Sequence, residues 1–237
     1  MTYDAAAVIR AESEAFLAAA RAGLDVDVPT CPGWQLRDLV AHVGAVYDFH
    51  GRHVIRGTDD PPTGDRTVPE GDDADLLVWF ADRLDRLLLN LGELPSDAPA
   101  WNFARHTPQV VGFWPRRMAL EAAVHRWDAQ AAHHDAHGIE LAVAVDGIDE
   151  VLTVLRPARL TRTPLEVAGV VSVRLTDSDS TWQLRLTPHA ISPSSDPPDA
   201  VLEGTASTVL LGLWGRVPLS SLSLDGDESL VTALPTG

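Results

Sequence analysis

The sequence predicts an α+β chain in two parts, a four-helix bundle over residues 1–144 followed by a small α/β domain over residues 145–237. Three observations predict it. Apolar side chains repeat at helical spacing along most of the first 137 residues. After Gly138 the pattern changes to short, alternating, β-branched segments. The 237 residues are 45% apolar and 22% charged, an ordinary globular composition with chain enough for one large core or two smaller ones.

Asp4 to Ala22 is Ala-rich, with Val8, Ala11, Ala15 and Ala18 at helical spacing and Gly23 as a stop. A second helix is predicted from Gln35 to about Val54, with Leu36, Leu39, Val40, Val43 and Tyr47 on its apolar face. Residues 57–73 are dominated by Pro, Gly, Asp and Thr and read as a long loop. Asp75–Leu91 is the third helix, with Leu76, Phe80, Leu84, Leu87, Leu88 and Leu91 on one face. Residues 95–108 form another loop, whose Trp101 and Phe103 are expected to pack back onto the protein. Val110 to about His134 is the fourth helix; Pro115 sits near its start, where a proline is tolerated. Four such helices joined by loops make a bundle. Beyond Gly138, residues 146–155 read as a short helix. Residues 165–175 and 181–186 read as a hairpin, residues 200–203 and 222–224 as strands, and residues 206–214 as a helix.

Composition excludes whole classes of chemistry. Thirty-four acidic against 18 basic residues give a formal charge of −16, which repels phosphate backbones, so no nucleic-acid partner is expected. All 18 basic residues are arginine. Without lysine there is no Schiff base, no pyridoxal-phosphate anchor and no P-loop. A single cysteine, Cys31, rules out internal disulfides and Cys-rich zinc sites. No apolar run approaches the roughly 18–20 residues of a membrane span. The N-terminal residues are acidic where a signal peptide is basic. The expectation is a cytoplasmic protein with no membrane partner.

The fourth helix carries the most chemistry, in Glu121-Ala-Ala-Val-His125-Arg-Trp-Asp128. At roughly 100° per residue, Glu121, His125 and Asp128 share a stripe about 60° wide. Leu120, Val124 and Trp127 flank it on one side and Met118 on the other, while Arg126 and Gln130 point away. Three ionisable groups therefore face the bundle interior. Because unpaired buried charge costs several kcal/mol, they need one another, an arginine or a cation. A carboxylate and an imidazole one turn apart can chelate one metal ion; a surface histidine beside two solvated acids, or a buried ion pair with Arg117 or Arg126, is the plainer alternative. A third ligand must come from another helix. His42, beside the apolar face of the second helix, is the best placed, with Asp38 one turn earlier as a possible orienting partner. His50 and His53 read as surface residues. His133, His134 and His137 read as helix-end residues favoured by the dipole. Cys31 precedes Pro32-Gly33-Trp34 at a helix start and reads as a small buried residue rather than a reactive thiol. Arg216 follows a glycine turn and could present a fork to a carboxylate.

Three stretches together, Thr30-Cys-Pro-Gly-Trp-Gln-Leu-Arg-Asp-Leu-Val-Ala-His42, Glu121-Ala-Ala-Val-His125-Arg-Trp-Asp128 and Leu-Leu-Gly-Leu-Trp-Gly-Arg216, resemble the mycothiol-dependent maleylpyruvate isomerase family of the DinB superfamily. They occur in order, and the resemblance spans nearly the whole chain. It implies a DinB-like metal-binding four-helix bundle and a smaller C-terminal α/β domain. It implies a divalent metal, usually zinc, held by His42, Glu121 and His125, with mycothiol as thiol cosubstrate. It also implies that Arg216 serves an active site between the domains.

On that resemblance, a thiol reaching the open coordination position of the metal is deprotonated and becomes a nucleophile at neutral pH. In an isomerase it adds to the cis double bond of an unsaturated acid, the adduct rotates, and the thiol is eliminated from the trans product. In an S-transferase it stays on an electrophilic substrate. Arg216 neutralises a substrate carboxylate or a developing enolate, and Asp128 orients His125 or relays a proton. Two other readings stay open: a hydrolase using metal-bound water, and a non-catalytic metal-binding or regulatory protein.

Overall fold

Asp4 opens the first helix, α1 (Ala5–Ala20), by accepting the backbone N–H groups of Ala6 and Ala7 at 3.0 and 3.3 Å. The structure, a computed structural model, describes residues 3–64, 67–68, 70–160 and 162–235. Asp65, Arg66 and Pro69 of the expected loop 57–73 lie outside the described residues. Helix α2 (Leu36–Val54) is capped by Asp38, whose carboxylate accepts the Gln35 N–H at 2.9 Å. Helix α3 (Asp73–Leu91) begins two residues before its expected start, because Asp72 accepts the Asp75 N–H at 3.0 Å and Asp75 reaches back to the Asp72 N–H. Helix α4 (Phe113–Ala132) holds Pro115 in its first turn.

In the bundle α1 lies against α4 and α2 against α3, with α2 also touching α4 and α1 touching α3. Ile9, Phe16, Leu36, Leu39, Val43, Tyr47, Phe80, Leu87, Trp114 and Met118 are at most 2% exposed and form its centre. Phe80 stacks on Phe16 at 5.1 Å and meets Tyr47 at 5.7 Å. At Gly44 the Trp79 ring of α3 lies against the α2 backbone: a Cβ there would lie 2.2 Å from that ring. Trp101 and Phe103 do fold back. The Trp101 carbonyl accepts the Trp114 indole N–H at 2.9 Å, and Phe103 meets Phe113 edge-on at 5.4 Å.

The chain divides into two compact units, residues 1–137 and 138–237. Residues 138–144 go with the second unit: helix α5 (Leu141–Glu150) packs on α7 (Ala206–Leu213), and the Ile139 N–H donates to Ser207 Oγ at 2.9 Å. Helix α5 runs through a π turn (Val151–Leu155) into α6 (Arg156–Leu160), so the segment expected as residues 146–155 is the middle of a longer helical run. Strands β1 (Gly169–Leu175) and β2 (Thr181–Thr187) form the expected hairpin. With β3 (Ala190–Pro193), β4 (Ala200–Gly204) and β5 (Ser223–Gly226) they make one sheet in the order β3-β2-β1-β4-β5, in which only the β1–β4 pair is parallel. A final turn of helix, α8 (Glu228–Thr232), is capped by Asp227. Among the described residues no helix is long and apolar enough to cross a membrane.

Candidate metal centre

The site begins in the loop before α2. The Trp34 N–H donates to the Cys31 carbonyl at 3.0 Å across Pro32-Gly33, and Gly33 has φ +82°. Proline followed by a residue of positive φ is a type II turn, which Gly33 adopts without the strain a Cβ would bring. Val28 closes the turn from outside, donating its N–H to the Trp34 carbonyl at 2.9 Å and accepting from the Cys31 N–H at 3.0 Å. The Leu36 N–H donates to the Val26 carbonyl at 2.8 Å, tying the loop to α2. This fixes Thr30 just before the turn and Trp34 at its end, with His42 about two helical turns into α2.

His42 on α2 and Glu121 and His125 on α4 come together. One donor atom from each lies within 4.8 Å of the other two, and these are the residues among those described that form such a group. Glu121 Oε1 is 3.3 Å from His125 Nε2 and 3.9 Å from His42 Nε2. Donors bound tetrahedrally to one cation at ~2.0–2.2 Å stand roughly 3.3–3.6 Å apart, so the spacing fits with small side-chain adjustment. Two imidazoles and a carboxylate suit zinc and its neighbours in the first transition row. His42, 31% exposed, is the accessible member; Glu121 and His125 side chains are 15% and 11% exposed.

Each cluster residue on α4 is braced. Arg117, one turn before Glu121 and buried, donates to Glu121 Oε2 at 2.7 Å and leaves Oε1 facing the histidines. Asp128 Oδ2 lies 3.0 Å from His125 Nδ1, which places the Nδ1 proton on that bond and turns Nε2 toward the cluster. Thr30 Oγ1 donates to Asp128 Oδ1 at 2.6 Å. The Trp34 ring stands 5.1 Å from that of His42, and the two imidazoles 5.5 Å apart.

These contacts set the protonation of the metal-free site. Burial pushes the Glu121 carboxyl up, but the charge and hydrogen bond of His125 and the charges of Arg117 and His42 outweigh it, holding Glu121 well below the usual carboxylate range. Burial pushes His125 down, and the attraction and hydrogen bonds of Glu121 and Asp128 outweigh that, raising it to about 9. The ion pair with Arg117 and the metal-ready cluster, alternatives in the sequence, coexist on opposite oxygens of Glu121.

The other residues singled out fall elsewhere. Arg126 does point away, buried against α1, donating to Glu12 Oε2 at 2.6 Å and to Gln130 Oε1 at 2.9 Å. His50 is not a surface residue: it is buried and stacked on Trp114 at 4.1 Å, because the inner face of α2 continues to its last turns. His53 is half-buried, its Nδ1 against the Phe49 carbonyl. His133 is the C-cap of α4 and half-buried; His134 and His137 are exposed. Cys31 is half-buried against the bundle core. Arg216 lies in the second unit after Gly215, whose φ is +69°. Its guanidinium sits 5.8 Å from the centroid of the Trp214 ring and donates to the Trp214 carbonyl at 2.9 Å. Sequence reasoning missed Thr30 as part of the site, since nothing in spacing links it to Asp128 98 residues away. The Arg117–Glu121 brace was readable as an i, i+4 pair.

The described residues make a four-helix bundle with a His–Glu–His cluster that could hold a metal ion, followed by a small mixed-sheet domain. The family model described as the mycothiol maleylpyruvate isomerase N-terminal domain matches residues 6–130, and the one described as the MDMPI C-terminal domain matches residues 142–233. The chain belongs to the mycothiol-dependent maleylpyruvate isomerase family. Two solved structures share its fold over 94% of this chain and 92% of theirs. One is the crystal structure of the mycothiol-dependent maleylpyruvate isomerase, with 12% identity and a TM-score of 0.64. The other is a histidine-to-alanine mutant of that enzyme, with 11% identity and a TM-score of 0.65. No curated protein matches the sequence.

Proposed function

We propose that this protein is a metal-dependent enzyme that uses a thiol, either a mycothiol-dependent isomerase of the maleylpyruvate type or a mycothiol S-transferase. His42, Glu121 and His125 hold a divalent cation, zinc first among the candidates. The observation that carries the reading is the convergence of three donor atoms within 4.8 Å, two of them braced from behind by buried groups. A three-donor set is the kind that catalytic sites use, and a cation held this way supplies Lewis acidity that favours the thiolate over the thiol at neutral pH.

The chain's own residues do the rest. Arg117 keeps Glu121 ionised and aimed, and Asp128 keeps the Nδ1 proton of His125 in place so that Nε2 is free to bind. Arg216 pairs with a substrate carboxylate or steadies the developing enolate. In the isomerase the thiol sulfur adds to the cis double bond, the adduct turns about the resulting single bond, and expulsion of the thiol gives the trans acid.

Metal analysis and turnover test this together. Wild type should carry about one divalent cation per chain, and His42→Ala and Glu121→Ala should lose it. Holo-protein given mycothiol and a cis-unsaturated keto-diacid should give the trans isomer, or a thioether with a simple electrophile; Arg216→Ala should slow either. Variants that keep the metal would remove the triad from the site, and turnover without any thiol would turn the reading to hydrolysis.

A further inference from the structure

The geometry points to Thr30 as a positioning residue for the metal centre, acting through Asp128 on His125; this rests on the metal-site reading above. Asp128 is fully buried, so its carboxylate takes the orientation that its hydrogen bonds dictate. One oxygen receives the His125 Nδ1–H at 3.0 Å and the other the Thr30 hydroxyl at 2.6 Å. The chain therefore runs from a hydroxyl on the loop before α2, through a carboxylate on α4, to the ligand ring.

The loop end of this chain is anchored. Thr30 immediately precedes the Cys31–Trp34 turn, which is closed by its own backbone bond and by two bonds to Val28. The same turn presents Trp34 to the ring of His42 at 5.1 Å. One short segment thus braces a histidine on each of two helices, one by a hydrogen-bonded relay and one by ring contact. Removing the Thr30 hydroxyl leaves Asp128 Oδ1 without that donor in a buried setting. That loss changes the set of bonds that orients the carboxylate, and through it the direction of the His125 Nε2 lone pair.

Zinc affinity of the full-length protein, measured by chelator competition, tests this with Thr30→Val and Thr30→Ser. The valine keeps the shape and drops the hydroxyl; the serine keeps the hydroxyl. Thr30→Val should weaken zinc binding about 10-fold or more, the range for such outer partners, and Thr30→Ser should stay within about twofold of wild type. In the metal-free proteins the downfield His125 Nδ1–H resonance should persist in wild type and Thr30→Ser and shift or broaden in Thr30→Val. Thr30→Ala carries the same expectation if the valine does not fold. A residue that merely stabilised the loop would lower the melting temperature while leaving affinity and resonance in place, and that result overturns the proposal. Wild type that binds zinc while Thr30→Val binds it within twofold overturns the role of Thr30 alone. Wild type without zinc affinity overturns the metal-site reading as well.

Discussion

Loading a cation onto His125 has to expel a proton, and the structure says how strongly the two compete. Between Glu121 and Asp128 the imidazole is held at about 9. At pH 7 only about one molecule in a hundred then offers a neutral ring, so apparent metal affinity stands about 100-fold below its high-pH limit. It should rise about tenfold, ~1.4 kcal/mol, for each pH unit until it levels near pH 9. Glu121 adds nothing to this slope, because it is already ionised well below neutral pH. The check is zinc affinity by chelator competition between pH 6 and 9, corrected for the chelator's own protonation. Calorimetry in buffers of different ionisation enthalpy should show about one proton released per cation at pH 7.5–8.5. A flat affinity with no proton released in that window would refute the protonated His125–Glu121 pair.

Arg117→Met should destabilise the metal-free protein by about 3–5 kcal/mol, because it strips a buried carboxylate of its nearest partner. At about 2–4 °C per kcal/mol this is a fall in melting temperature of at least ~6 °C, part of which zinc should restore; an unchanged melting curve would mean that His125 alone suffices for Glu121. Gly44→Ala should cost about 1–3 kcal/mol by driving the Trp79 ring off α2, where the added Cβ would lie 2.2 Å from it. Far-UV circular dichroism melts read this directly, and a stability equal to wild type would show that α2 and α3 can part at no cost.

The bundle was legible because α1, α2 and α3 keep a regular apolar face and glycines stand at or shortly after their ends, Gly23, Gly57 and Gly92. Glu121, His125 and Asp128 were legible as one group because 3- and 4-residue steps on a helix share a face. That α4 buries them was harder to see: Arg117, His125, Arg126 and Asp128 are all buried, so the usual contrast of polar and apolar faces is absent from this helix. His42 stood out by its place beside an apolar face and by the motif around it. His50 did not, since a histidine near a helix end looks the same whether it meets water or Trp114. The short elements β3 and α8 are four and five residues long, too few for any period to rise above the surrounding turn residues. Thr30 belongs to the site through a contact that only the folded chain creates.

The charges around the cluster give the last step. In the cluster two carboxylates, Glu121 and Asp128, face two cations, Arg117 and protonated His125. Exchanging the His125 proton for a divalent cation leaves one positive charge in excess, because Arg117 still cancels Glu121. In a buried, low-dielectric setting that excess favours an anionic fourth ligand over a neutral one. A thiolate would restore the balance, as would a hydroxide, whereas a neutral thiol or water would not. The chain as a whole carries −16 and repels anions at long range, yet a divalent cation held here would leave a local positive charge. Arg117 is the residue responsible, since without it the glutamate would absorb that excess and the preference for a thiolate would weaken.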